Sequence, residues 1–138
     1  MNKIVYTSDL IKVMSLFESF THARLRDCLV TPSGYLFVVE QNEMGKAIGS
    51  RGCNVRKLEG LLKKRVKIVE FSDNPVSFIK NLIYPLQTSD VSPVDDKLVL
   101  TATDIKTRGL LIGRNASNLR GFEDVVKRYF PVREIVVN

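Results

Sequence analysis

The chain repeats itself at an offset of 64 positions, and this repeat constrains the fold more than any other feature of the sequence. Ile48-Gly49 recurs as Ile112-Gly113. Four apolar residues at helical spacing keep the same register: Val55, Leu58, Leu61 and Leu62 fall on Leu119, Phe122, Val125 and Val126. So do three other residues: Gly45, Glu59 and Lys63 fall on Gly109, Glu123 and Lys127. The 138 residues are therefore predicted to form two small domains of one fold, near 1–72 and 73–138.

Each half is predicted to run helix, strand, strand, helix, glycine-bearing loop, helix and strand. Predicted helices cover 8–21, 44–48, a segment after Gly52, a segment that begins at Pro75, 104–111, and a segment from after Ala116 to about 130. Predicted strands cover 24–30, 35–40, 66–71, a segment near Leu86, 97–103 and 132–137, with 88–96 as a polar loop. Four phenylalanines at apolar periodic positions are predicted to lie in the core: Phe37, Phe71, Phe78 and Phe122.

Positive charge is concentrated in two windows, 44–67 and 106–133. These windows hold 15 of the 21 Lys and Arg residues but only three of the 15 Asp and Glu residues. Their net charge is +12, whereas the rest of the chain carries −6. A single charge run is typical of a solvated helix face. Two matching runs, each beside a glycine-bearing loop at the start of a helix, indicate a surface that binds a polyanion.

The segment Gly49-Ser50-Arg51-Gly52 lies between two predicted helices. Glycines allow a sharp turn and let a ligand backbone approach closely, and the start of the next helix offers free N–H groups and a positive dipole end. A helix-to-helix turn can also need glycine for its own sake. The loop is neither G-x-x-x-x-G-K-[ST] nor G-x-G-x-x-G, which disfavours kinases and dehydrogenases.

Several other protein classes are disfavoured by composition. No apolar run approaches the roughly 18–20 residues of a membrane span, and the N-terminus lacks the apolar core of a signal peptide, so we expect a cytoplasmic protein without membrane association. Cys28 and Cys53 lie far apart and favour reduced thiols, and with one His a zinc site is disfavoured. No cofactor, metal or catalytic residue is predicted. The enzymatic alternative is a Mg²⁺ nuclease that uses three carboxylates, Asp90, Asp95 and Asp96.

The element I-G-x-x-G at 48–52, with a helix on each side and a strand after it, resembles a KH domain, whose GxxG loop clamps about four nucleotides of single-stranded nucleic acid. The order of elements is similar to the type II form. The resemblance implies an α+β fold of two tandem type II KH domains, each a three-stranded sheet packed against three helices (α-β-β-α-α-β).

A tandem pair of such domains resembles the archaeal NusA-like transcription factors. That resemblance implies a non-enzymatic protein that binds single-stranded RNA and acts in transcription elongation or termination, with RNA polymerase as a further candidate partner. The alternative is a KH protein associated with the ribosome or with RNA processing.

The resemblance also assigns roles to residues of the first domain. Gly49, Ser50, Arg51 and Gly52 would form the backbone clamp. Ile48 and Val55 would line the apolar floor under the bases, and Arg56 and Lys57 would meet phosphates.

In the second domain the corresponding residues are Ile112, Gly113, Arg114, Asn115 and Ala116. Alanine replaces the last glycine, and it tolerates a positive φ poorly. The second clamp is therefore expected either to be weaker or to bind through Arg114 and Arg120 with a slightly different loop path.

Overall fold

The computed structural model describes residues 6–138, which divide into two units, 6–72 and Asp73–Asn138. The first unit contains α1 (Ser8–Thr21), β1 (Leu25–Thr31), β2 (Gly34–Val39), α2 (Met44–Ile48), α3 (Cys53–Leu62) and β3 (Arg65–Glu70). The second contains α4 (Pro75–Ile83), β4 (Thr88–Val94), β5 (Lys97–Ala102), α5 (Ile105–Ile112), α6 (Ser117–Lys127) and β6 (Glu134–Val137). Both follow the order α-β-β-α-α-β, which confirms the predicted fold class. Residues 1–5 of the predicted first domain lie outside the described residues.

Each unit has a three-stranded sheet with the same topology. In the first unit β2 is central, antiparallel to β1 and parallel to β3; in the second, β5 is antiparallel to β4 and parallel to β6. A parallel pair needs a crossover connection, because the chain must return to the same end of the sheet. The crossovers are α2–α3 and α5–α6, so the sheet topology places a helix–loop–helix segment, with its glycine-bearing loop, in each unit.

The core of the first unit forms between α1 and its sheet. The rings of Phe17 and Phe37 stack with their centroids 4.3 Å apart and their planes 17° from parallel. Their buried neighbours are Ala23, Cys28, Val39, Ala47 and Leu58. At its start α1 is capped by Thr7, whose Oγ1 accepts a hydrogen bond from the N–H of Leu10 at 3.2 Å. His22 ends the helix in the left-handed conformation.

The core of the second unit is built in the same way. Asn74 caps α4 by accepting a hydrogen bond from the N–H of Val76 at 2.8 Å, and Pro75 occupies the first helical position. Phe78 is fully buried and meets Tyr129 edge to face, with the ring centroids 5.4 Å apart. The sheet and the other helices contribute buried apolar side chains: Leu98, Leu100, Leu111, Val125, Val126 and Ile135. Of the four predicted core phenylalanines, Phe122 is only half-buried.

The predicted strand near Leu86 is wrong, and so is the predicted polar loop at 88–96. Leu86 lies in a turn, where its N–H donates to the carbonyl of Ile83 at 2.9 Å. The strand is β4, which occupies most of the predicted loop, and Asp95-Asp96 is the two-residue turn into β5. An edge strand has a free side, which tolerates polar residues and Pro93. Only Val91 of β4 is buried, so its sequence lacks the apolar alternation of a strand.

Candidate nucleic-acid interface

The first glycine-bearing loop turns the chain sharply between α2 and α3. Gly49 adopts φ 77° and ψ 175°, and it is followed by a single 3₁₀ turn at Ser50–Gly52. Arg51 (φ 53°, ψ 31°) and Gly52 (φ 72°, ψ 19°) are both left-handed. The N–H of Gly52 donates to the carbonyl of Gly49 at 3.2 Å, which closes the turn. Ser50 and Arg51 are left exposed at its tip.

The second loop follows the same backbone path. Gly113 adopts φ 75° and ψ 177°, Asn115 φ 55° and ψ 33°, and Ala116 φ 61° and ψ 22°. The N–H of Ala116 donates to the carbonyl of Gly113 at 3.3 Å, as Gly52 does in the first loop. The expected alternative of a slightly different loop path is therefore wrong. Ala116 takes the left-handed conformation that glycine has at position 52, and asparagine at 115 is a residue type that tolerates this region.

A side-chain amide spans each loop, which sequence reasoning missed. Nδ2 of Asn54, the second residue of α3, donates to the carbonyl of Lys46 in α2 at 2.8 Å. Nδ2 of Asn118 donates to the carbonyl of Leu110 at 2.8 Å. The available signal was the repeat itself, since Asn54 falls on Asn118 at the offset of 64.

A glutamate in each unit ties the helix after the loop to the start of the last strand. The carboxylate of Glu59 accepts a hydrogen bond from the N–H of Val66 at 3.0 Å, and that of Glu123 accepts one from the N–H of Ile135 at 2.8 Å. Burial by itself raises the pKa of Glu123, but the hydrogen bond from Ile135 and then that from Arg120 outweigh it. The pKa of Glu123 therefore lies below its usual value.

The arginines assigned to phosphates are held by contacts within their own units. Nη1 of Arg56 donates to the carbonyl of Arg51 at 2.6 Å and supports the left-handed residue of the first loop. Its counterpart Arg120 instead donates to Glu123 at 2.7 Å, while its side chain stays 63% exposed. The ammonium of Lys57 lies 5.7 Å from the ring centre of Phe20. All three cations are exposed, so each can still meet a phosphate.

The other assigned residues surround the loops as expected from their positions. Ile48 and Ile112 are the last residues of α2 and α5, and both are half-buried, as is Val55 on α3. Arg114 and Asn115 are exposed at the tip of the second loop. Each unit thus joins a glycine-bearing turn, half-buried aliphatic side chains and exposed cations in one helix–loop–helix segment.

The carboxylates of the nuclease alternative make ordinary local contacts. Asp90 accepts a hydrogen bond from the hydroxyl of Ser92 at 2.6 Å, and Asp96 pairs with Nε of Arg133 at 3.1 Å. Within residues 6–138, no group of three or more His, Cys, Asp or Glu side chains is arranged to hold a metal ion. Cys28 and Cys53 are free thiols. None of the helices in the same range has both the length and the apolar character needed to cross a bilayer.

A three-stranded sheet packed against three helices, with a G-x-x-G loop between the second and third, is the architecture of a KH domain. The family model described as KH domain matches residues 13–83, and the chain belongs to the KH domain family. It is also similar to two proteins that are each named probable transcription termination protein NusA. The one from Methanocaldococcus jannaschii is 29% identical over 140 residues, which span 99% of this chain and 76% of that protein. The one from Methanococcus vannielii is 30% identical over 134 residues, spanning 95% and 77%.

A solved structure supports the fold on independent grounds. The crystal structure of APE1850 superposes with a TM-score of 0.76 at 24% sequence identity, covering 96% of this chain and all of that one. These comparisons confirm the resemblance to tandem KH proteins of the NusA-like kind.

Proposed function

We propose that this chain is a non-enzymatic protein that binds single-stranded RNA and acts in transcription elongation or termination. The observation that carries the proposal is the duplicated loop, which has one backbone path in both units and exposed cations on either side. The names of the two relatives supply the process, since both are called transcription termination proteins. The cytoplasm is the proposed compartment.

The RNA backbone would lie against the exposed tips of the loops. In the first unit the turn at Gly49–Gly52 presents little side-chain bulk apart from Arg51, and α3 begins directly after it with no side-chain cap on its first N–H groups. Neutralising phosphates releases counterions, so the cations add affinity without reading sequence. Bases would then pack over Ile48 and Val55. The second loop would act in the same way through Gly113 to Ala116, together with Arg120.

The two units are proposed to be the two KH domains, with the boundary between residues 72 and 73. Each unit has its own sheet, its own buried phenylalanine and its own helix–loop–helix segment. RNA polymerase is proposed as the protein partner. Co-purification from cells tests this proposal: polymerase subunits support it, whereas ribosomal particles favour the alternative of a ribosome-associated KH protein.

The test of RNA binding is the double variant Ser50→Asp with Arg51→Asp. It places two carboxylates where phosphate would sit, so we expect the affinity for a single-stranded RNA oligonucleotide to fall at least about tenfold, since like charges in a contact are strongly unfavourable. Circular dichroism should show an unchanged fold. Wild-type affinity should also fall steeply with added salt, because binding releases counterions.

The matched control is Lys12→Asp with Ser15→Asp, which makes the same charge change on the exposed face of α1. Its affinity should stay much closer to that of the wild type. An equal loss of RNA affinity in the two double variants would mean that net charge alone sets the affinity. An unchanged affinity in the Ser50→Asp, Arg51→Asp variant would remove the first loop from the mechanism.

A further inference from the structure

In both units an asparagine side chain connects the two helices that flank the glycine-bearing loop. Asn54 and Asn118 each donate at 2.8 Å to a carbonyl in the last turn of the preceding helix. Carbonyls in a last helical turn lack their usual partner four residues on, so each of these bonds satisfies an acceptor that the helix leaves open. The contact closes a ring around the loop, since its two ends lie on opposite sides of the turn.

The first glycine of each loop leaves the room that this amide occupies. A Cβ atom on Gly49 would lie 2.8 Å from Cγ of Asn54 and equally close to its Nδ2. On Gly113 a Cβ atom would lie 2.7 Å from Cγ of Asn118. Contacts this short do not occur between real side chains, so glycine is needed here for the amide as well as for the positive φ. The last position is different: a Cβ on Gly52 would meet only Arg56 Nη1, at 3.7 Å.

Local helix preference does not explain an asparagine at this position. Gly52 and Ala116 occupy the N-cap position of the helices that follow the loops, and the asparagines lie two residues inside those helices. There, asparagine is a poorer helix former than alanine or glutamate. Its presence at both equivalent positions is accounted for by the contact back to the preceding helix.

We infer that Asn54 and Asn118 are positioning residues for RNA binding, which hold the loop backbone in its binding conformation before RNA arrives. This inference rests on the proposed function, because it assigns the asparagines a role in that same interface. A loop that is already ordered loses less conformational entropy on binding, so it binds RNA with higher affinity. The asparagines act through the loop and need not touch RNA.

The test separates loop order from overall stability. Asn54→Ala alone is expected to destabilise the first unit, so it is combined with Gly60→Ala. Gly60 lies in the interior of α3, a Cβ there meets nothing within 4 Å, and alanine is the better helix former. The single variant Gly60→Ala is the matched reference. Asn118→Ala with Gly121→Ala, measured against Gly121→Ala alone, repeats the comparison in the second unit.

Two measurements are made on each pair of proteins. Without RNA, amide hydrogen exchange in the loop (49–52 for the first pair, 113–116 for the second) should be faster in the asparagine variant than in its reference. Exchange in the sheet of the double variant should stay at the wild-type rate. Affinity for a single-stranded RNA oligonucleotide should fall about fivefold, because that change in the binding constant corresponds to the typical net free energy of one hydrogen bond. The thermal midpoints of N54A/G60A and the wild type should agree closely.

The outcomes are distinct. Unchanged loop exchange overturns the inference, and so does faster exchange with unchanged RNA affinity. If the wild-type protein does not bind RNA, the proposed function fails, and the exchange measurement still reports whether the asparagines order the loops.

Discussion

Ala116 occupies a backbone conformation that alanine disfavours, and relieving it should stabilise the protein. At φ 61° and ψ 22° it lies in the left-handed region, which costs a residue with a Cβ about 1–2 kcal/mol. Ala116→Gly removes that cost but also increases the freedom of the unfolded chain, which takes back about 0.4–1 kcal/mol. The net expectation is a gain of about 0.5–1 kcal/mol in the free energy of unfolding.

The reciprocal substitution checks the reasoning in the first loop. Gly52→Ala places a methyl group where only Arg56 Nη1 lies within reach, at an ordinary contact distance of 3.7 Å. The substitution therefore meets no clash, and its cost is conformational alone. Gly52→Ala should lower the free energy of unfolding by about the amount that Ala116→Gly raises it. The combined swap should be close to neutral.

The assay is urea unfolding followed by circular dichroism, with the slope of stability against urea compared among the variants. The midpoint should shift and the slope should not, since neither substitution changes the surface exposed on unfolding. A destabilising Ala116→Gly, or a Gly52→Ala that costs more than about 3 kcal/mol, would refute the reasoning, because the values would exceed what left-handed backbone strain can supply.

Two further predictions concern contacts that hold the sheets. Burial raises the pKa of Glu123, but the hydrogen bonds from Ile135 and Arg120 outweigh it and lower the pKa overall. The stability that this carboxylate contributes is therefore present above its unfolded pKa of about 4.3, and it is lost as the pH falls through the lower folded value. Glu123→Gln should therefore lower the free energy of unfolding at pH 7 by about 1–3 kcal/mol and flatten the loss of stability in acid, measured by urea unfolding across pH; an unaltered acid profile would contradict this assignment. Gly34→Ala should destabilise the first unit by about 1–3 kcal/mol or more in the same assay, because its Cβ would clash with the carbonyl oxygen of Arg65 in β3. A neutral effect would mean that the two strands can move apart at no cost.

Much of the architecture could be predicted because the buried elements carry strong periodic signals. The bounds of α1 and α2 agree with the structure, and every strand except β4 lies within a few residues of its predicted position. The prediction missed β4 for a physical reason. It gains its hydrogen bonds from β5 while exposing most of its side chains, so the interaction that makes it a strand leaves little trace in its own sequence.

The site shows a similar division between what sequence can and cannot reveal. The glycines and the basic windows locate both loops, because charge and backbone freedom are properties of residue type. The partner that each side chain contacts does not follow from residue type. Arg56 and Arg120 are equivalent in sequence, yet Arg56 donates to a loop carbonyl and Arg120 pairs with Glu123. Asn54 escaped notice because its role depends on a distance of 2.8 Å to a backbone atom eight residues earlier.

The close packing of Gly49 against Asn54 has a consequence for how such loops can diverge. A larger residue at the first position has no room while the amide is in place, and loss of the amide removes one of the reasons for glycine. The two positions are therefore expected to change together, whereas the last loop position is free to vary alone, as Ala116 demonstrates within this chain. A search pattern that demands glycine at both ends overlooks half of this protein. One that requires the first glycine and the asparagine five residues later, and admits alanine in between, finds both copies.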